Sequence, residues 1–335
     1  MRKFVHVGYP KSGSTSLQID VFREHPEIYY LGRGYGDFTG YIDDDIQICA
    51  EIDLRFRREF EFDEALYRSR FDKHFDLAEN SVEKKVVGFS SEFFSFTYQN
   101  DLDVAEKARR LWLGFGADTQ VLIIIREQLG FIRSTYKEFI RSGYRKTFDE
   151  FVFWLYEQKD RNFYSVLKYE KMFELYSSLF GAENVHIVPF ELLNSDPIRF
   201  LERVSVAIGV EIGKRELKNY NEAYPDATLE LLRIYNAQTP YILSNDSFTG
   251  FQQVFAPAYY QKELGIPLPT KSVMDRELKN SLHLAAKRLS QGASGLVLNM
   301  TANQKVIDYF AAEYQRSNEK LAQMIDEDLS EYNYF

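Results

Sequence analysis

The sequence predicts an α/β fold, a three-layer α/β/α arrangement with a central parallel sheet, and three observations carry that expectation. Four short apolar runs rich in β-branched residues read as strands buried on both faces. Each is separated from the next by enough chain for a helix, as in a doubly wound sheet. The first run leads directly into a glycine-containing turn and a helical pattern, where ligand chemistry is expected at the carboxyl ends of the strands.

The first strand is expected at Phe4 to Val7 and the first helix at Ser14 to Glu24. Asp43 to Asp76 is densely charged with a scattered apolar stripe (Ile46, Ile48, Ile52, Leu54, Phe56, Phe60) and reads as helical surface. Further strands are expected at Lys85 to Phe89, Gln120 to Ile125 and Asn184 to Val188. Helices are expected at Phe131 to Ser142, Thr147 to Leu179 with a break, Asp196 to Ile208 and Ala302 to Met324. From Asn221 to Lys271 the pattern loosens into Tyr, Pro, Asn, Ser and Gly, which reads as a lid or binding loop. The 335 residues are expected to form one domain, 1–335, with a helical insertion at 40–80 and the loop region at 221–271.

Composition narrows the function. A net charge of −9 would repel a nucleic acid, so no nucleic-acid partner is expected and any anion site must be built locally. The single cysteine, Cys49, excludes an internal disulfide and a multi-cysteine metal cluster, which fits a reducing cytoplasm. The apolar residues before Gly8 are too few for a signal segment, and no stretch approaches the ~18 apolar residues of a membrane span. The expected location is therefore cytoplasmic. His25, His74, His186 and His283 lack metal-ligand spacing, and His6 reads as a packed core histidine, so no metal is expected.

The strongest local signal is Val7-Gly8-Tyr9-Pro10-Lys11-Ser12-Gly13-Ser14-Thr15-Ser16. Gly8 and Gly13 have the spacing of a P-loop, whose amides cradle phosphate at a helix N-terminus. A nucleotide triphosphatase would carry lysine directly after the second glycine; here that place is Ser14, and the lysine stands three positions earlier as Lys11. A kinase or ATPase with a deviant loop is the rival reading, weakened because the third strand ends in Arg126 rather than a metal-binding aspartate. A catalytically silent nucleotide-binding member is the other alternative.

Pro10 to Ser16 resembles the 5′-phosphosulfate loop of the sulfotransferase superfamily, roughly P-K-S-G-T-T-W, with Ser16 where the family often has tryptophan. Arg126 after a strand, with Ser134 eight residues later, resembles the family's 3′-phosphate motif. Val188 to Pro197 is similar to its strand-then-Y-E-D-L-x-x-D-P stretch, and Asn318 to Ala322 with Asp328 to Ser330 resembles the C-terminal helix and tail of bacterial carbohydrate-type members.

The resemblance implies a P-loop NTPase-like fold and 3′-phosphoadenosine-5′-phosphosulfate (PAPS) as donor, with PAP as product and no metal. It implies an acceptor in which carbohydrate is favoured, and places the 40–80 insertion on the acceptor side. Lys11 would steady the bridging oxygen, and Lys11, Ser12, Gly13, Ser14, Thr15 and Ser16 would hold the 5′-phosphosulfate. Arg126 and Ser134 would hold the 3′-phosphate, with the neighbouring Arg133 facing elsewhere on its helix. Glu92, after the second expected strand, is the candidate base, and equally fits a salt-bridged acid. Phe93, Phe94, Phe96 and Tyr98 fit either an acceptor cleft or, more simply, core.

Overall fold

In a computed structural model the expected strands pair into one parallel sheet of the order β2-β3-β1-β4-β5. The structure describes residues 1–36, 39–97, 101–160, 163–220, 223–238, 280–281, 284–291 and 295–334. The strands are β1 (Arg2–His6), β2 (Ile28–Tyr30), β3 (Val86–Ser90), β4 (Gln120–Ile125) and β5 (Val185–Pro189). In register, Val5 stands opposite Phe89, His6 opposite Ser90, and Val121 opposite Val185. Val121 to Ile125 are fully buried, so successive side chains on both faces are covered. Such coverage requires a layer on each side of the sheet, which makes the fold three-layered and P-loop-like.

The chain divides into two compact units. The first comprises residues 1–128, 163–221 and 312–335 and contains the whole sheet. Helix α1 starts at Ser14–Ser16 and widens into a π-helical stretch, Leu17–Arg23, where one regular α-helix was expected. Strand β2 was not expected; three residues, Ile-Tyr-Tyr, are too few to display a strand period.

The charged stretch expected as helical surface forms α2 (Asp44–Ile48), a π turn Cys49–Asp53 and α3 (Glu64–Glu79). Much of it is interior. Arg55 is fully buried, pairing with Glu51 at 2.7 Å and Asp101 at 3.7 Å, and Asp53 takes both Arg57 and Arg70 at 2.9 Å. Buried charge persists only where partners meet it, here i,i+4 neighbours together with Asp101 and Arg70 from other segments. Helix α4 (Val104–Phe115), absent from the sequence reading, brings Lys107 and Arg110 into the same interior network.

Helix α5 (Gln128–Arg141) begins at the end of the first unit. The second unit, residues 129–162 and 222–311, holds most of α5 together with α6 (Phe148–Glu157). Thr147 caps α6 with a reciprocal Glu150 capping box. The stretch expected as one broken helix thus splits between units, since α7 (Tyr169–Phe180) belongs to the first. The first unit continues with α8 (Glu191–Ser195) and α9 (Pro197–Ile208), the latter capped by Asp196. Helix α10 (Asp226–Gln238) lies in the second unit, its buried Asn236 donating to Ile140 O and Tyr144 O at 2.9 and 3.0 Å. This helix stands within the stretch 221–271 expected as a lid or binding loop, and most of the rest of that stretch lies outside the described residues. Helix α11 (Gln304–Ile325) closes the sequence of helices. Among the described residues no helix is long and apolar enough to cross a membrane.

Candidate active site

Strand order locates the site. From β1 the chain moves to one side of the sheet for β2 and β3 and to the other for β4 and β5, so the loop after β1 sits at a topological switch point. That loop first prolongs the sheet: Tyr9 N donates to Ile124 O and Ile124 N to Gly8 O, each at 2.7 Å. Gly8 has φ 114°, and a Cβ there would stand 2.6 Å from Ser95 Oγ and 3.0 Å from both Cα and O of Glu92. Glycine is therefore what lets the segment after β3 press against the loop.

Lys11 (φ 62°) and Gly13 (φ 76°) both take left-handed conformations, which curl the backbone just ahead of α1. For lysine this conformation costs about 1 kcal/mol. The guanidinium of Arg126 holds it in place, donating from Nη1 to Lys11 O at 2.6 Å while lying 5.0 Å from the centre of the Phe190 ring. Phe190 and Leu193 also close on Gly13, 3.5 and 3.2 Å from where its Cβ would be.

The loop hydroxyls do something the sequence did not suggest. Ser14 Oγ donates to Tyr9 O at 3.1 Å and Ser16 Oγ to Lys218 O at 2.6 Å, while Ser12 Oγ makes a long 3.5 Å contact with Pro10 O. These contacts brace the loop from within and from residue 218.

Arg126, just past β4, is half-buried, and burial holds its pKa below the ordinary arginine value despite the opposing pull of Glu191. Its carbonyl accepts from Tyr169 Oη at 2.5 Å. The next amide, Glu127 N, donates to Glu191 Oε1 at 2.9 Å, and Tyr334 Oη donates to Glu191 Oε2 at 2.9 Å. Ser134 is half-buried on α5 within the second unit, and its neighbour Arg133 is exposed.

Glu92 opens a 3-10 turn, Glu92–Phe94, immediately after β3. Its Oε1 accepts from Arg33 Nη1 at 2.6 Å and its Oε2 from Gln18 Nε2 at 3.4 Å. The salt-bridged state anticipated as one option for this acid is thus what the structure contains. Gln18 also reaches Ser90 Oγ at 3.0 Å, which in turn lies 2.8 Å from His6 Nδ1. Burial depresses Arg33, yet the charges of Glu92 and Glu51 and the Tyr41 oxygen leave its pKa above the usual arginine value. Lys107 fastens the turn from below, donating to Phe93 O at 3.0 Å and Phe96 O at 2.7 Å. Burial pushes its pKa down to about 8, against the pull of Asp101.

Phe93, Phe94 and Phe96 are buried, at 6%, 0% and 0% exposure, so they are core; Tyr98 and His283 lie outside the described residues. Among the described residues no cluster of three or more His, Cys, Asp or Glu could hold a metal ion. The structure thus gathers Lys11, Ser12, Gly13, Ser14, Arg126 and the Glu92 backbone around one loop. The sequence reading missed Arg33, Gln18 and Lys107. The only available signals were the Gly32-Arg33-Gly34 triplet after a short apolar run, and Gln18 one turn beyond Ser14.

Fold and loop together define a three-layer α/β/α protein with a tightly packed, glycine-bounded loop at its switch point. No family model matches the chain, and no curated protein matches it. Among solved structures it is similar to a sulfotransferase from Alicyclobacillus acidocaldarius, with 21% identity, a TM-score of 0.44, and coverage of 80% of this chain and 97% of that one. It is also similar to the sulfotransferase domain of the Synechococcus PCC 7002 olefin synthase, with 17% identity, a TM-score of 0.38, and coverage of 85% and 93%. A third is the sulfotransferase domain from the curacin biosynthetic pathway, with 14% identity, a TM-score of 0.36, and coverage of 84% and 96%.

Proposed function

We propose that the protein is a sulfotransferase that moves a sulfuryl group from PAPS to a hydroxyl or amine of an acceptor by direct in-line transfer. The observation that carries this reading is the loop itself. Its lysine stands at the left-handed position 11, no lysine follows Gly13, and a carboxylate-bearing turn is packed against Gly8. A sulfuryl group bears less negative charge than a terminal phosphoryl group, so one cation and a row of amides suit it without a metal-binding aspartate.

In this mechanism the acceptor oxygen forms its bond to sulfur while the bond from sulfur to the bridging oxygen breaks. The electron pair of that bond passes to the phosphate, leaving PAP, and Lys11 steadies the developing charge. Arg126 and Ser134 hold the 3′-phosphate, and Glu92 takes the acceptor proton. Catalysis rests on positioning and charge stabilisation. The acceptor favoured by the sequence resemblance is a glycan, glycolipid or small-molecule hydroxyl, sulfated in the cytoplasm.

Calorimetry with PAP, adenosine 5′-phosphate and Mg·ATP tests the reading. PAP is expected to bind more tightly than adenosine 5′-phosphate, because only PAP engages both anion sites, and Mg·ATP is expected to be the weaker competitor. A folded chain with no measurable affinity for PAP refutes it.

A further inference from the structure

We infer that Arg33 and Gln18 are positioning residues for the transfer step: they grip the two oxygens of Glu92 and aim its carboxylate at the acceptor proton. The inference rests on the sulfuryl-transfer reading and assigns a role to residues that reading leaves unused.

The geometry of Arg33 argues for a built device. Its main chain continues the β2 edge along β3, with Leu31 N donating to Gly88 O at 2.8 Å and Arg33 N to Ser90 O at 3.3 Å. A Cβ on Gly32 would fall 2.5 Å from Ser90 N and 2.7 Å from Ser90 O, so this approach requires glycine. Tyr30 Oη donates to Arg33 O at 2.7 Å and Arg23 Nη1 to Gly34 O at 2.5 Å. The Arg33 side chain is 9% exposed and that of Glu92 19%, which leaves the pair desolvated enough to hold its geometry while the carboxylate keeps some solvent access.

The two grips are unequal. Arg33 takes Oε1 in a 2.6 Å charge-assisted bond, whereas Gln18 touches Oε2 at 3.4 Å. Oε2 is therefore the oxygen with lone-pair capacity for a proton, and it is the one Gln18 steers from α1, one turn beyond the phosphate loop. As the acceptor O–S bond forms and the bridging S–O bond breaks, the acceptor proton passes to Oε2. Arg33 then faces a neutral carboxylic acid until the proton returns to solvent. The other buried ion pairs of this region, Arg55 with Glu51 and Lys107 with Asp101, lie behind Phe93, whose ring centre is 4.0 Å from the Arg55 guanidinium.

The test measures PAP affinity by calorimetry and consumption of radiolabelled PAPS, with water as acceptor and with a panel of monosaccharides, phenols and primary alcohols. Arg33→Met is expected to lower kcat by about 100-fold, within the range for losing an oriented base, while PAP affinity stays within about twofold of wild type. Arg33→Lys restores part of the loss, because an ammonium returns the charge without the planar fork. Gln18→Met lowers kcat by about fivefold, the effect of one hydrogen bond, again with PAP affinity unchanged. If Arg33→Met does not fold, Arg33→Lys and Gln18→Met carry the test by the same split. Normal PAP binding with wild-type kcat in these variants overturns the inference alone, as does a loss of PAP affinity equal to the loss of kcat. A wild-type protein that neither binds PAP nor consumes PAPS overturns the sulfuryl-transfer reading and this inference with it.

Discussion

His6 makes the stability of the first unit depend on acid in a way that can be calculated. The ring is fully buried on β1, its Nδ1 is 2.8 Å from Ser90 Oγ, and Nε2 is enclosed without a hydrogen-bond partner among the described residues. Phe22 lies edge-on at 5.7 Å. An imidazolium there would lose its hydration with only the Ser90 hydroxyl to replace it, and burial pushes the pKa down to about 3. In the unfolded chain the ring titrates near its ordinary value of about 6.5. Between those limits the unfolded state binds a proton that the folded state refuses. The stabilisation is therefore complete above the unfolded pKa and is lost as the pH falls toward the folded one.

The slope reaches at most about 1.4 kcal/mol per pH unit, and the loss accumulated between those limits is on the order of 5 kcal/mol. Carboxylates titrate over the same range, so the comparison is with His6→Asn, which keeps a polar atom near Ser90 and does not titrate. Urea unfolding in pH steps from about 7 to about 4 should give a wild-type curve that falls more steeply than the variant's. Curves that stay parallel across that range would refute the argument, because a constant offset means that His6 exchanges no proton on unfolding.

Three further outcomes are expected. Gly8→Ala should cost at least about 3 kcal/mol, from positive φ together with contacts to the main chain of Glu92 that no rotamer relieves; a melting temperature within a degree or so of wild type would contradict the packing described. Lys11→Ala should abolish turnover of PAPS while the unfolding midpoint stays unchanged, and residual activity near wild type would remove Lys11 from the mechanism. Arg126→Ala should weaken PAP by about 30-fold or more, since it removes a charged donor and releases the Lys11 carbonyl; equal weakening of PAP and acceptor binding would count against a donor-side role.

The glycine-bounded loop after β1 was legible because its parts are consecutive. Gly8, Lys11 and Gly13 belong to one turn, and their backbone needs are local. The same is true of β4, whose unbroken run Val-Leu-Ile-Ile-Ile announces burial on both sides. Charged residues misled. Arg55, Glu51 and Asp53 read as solvated surface because i,i+4 pairs such as Arg55 with Glu51 look the same on an exposed helix, and the further partners Asp101 and Arg70 are remote in the chain.

Taken alone, the order of residues determined the fold class and the glycine-bounded turn after β1, since periodicity and turn chemistry act over a few neighbouring residues. Tertiary structure alone decided that Glu92 is gripped by Arg33 and Gln18, 59 and 74 positions away in sequence. It also decided that Ser14 and Ser16 brace the loop and that the aromatic residues after Glu92 are core. Hydrogen bonds and ion pairs are short-ranged in space and indifferent to sequence separation, so only the closed sheet could choose their partners.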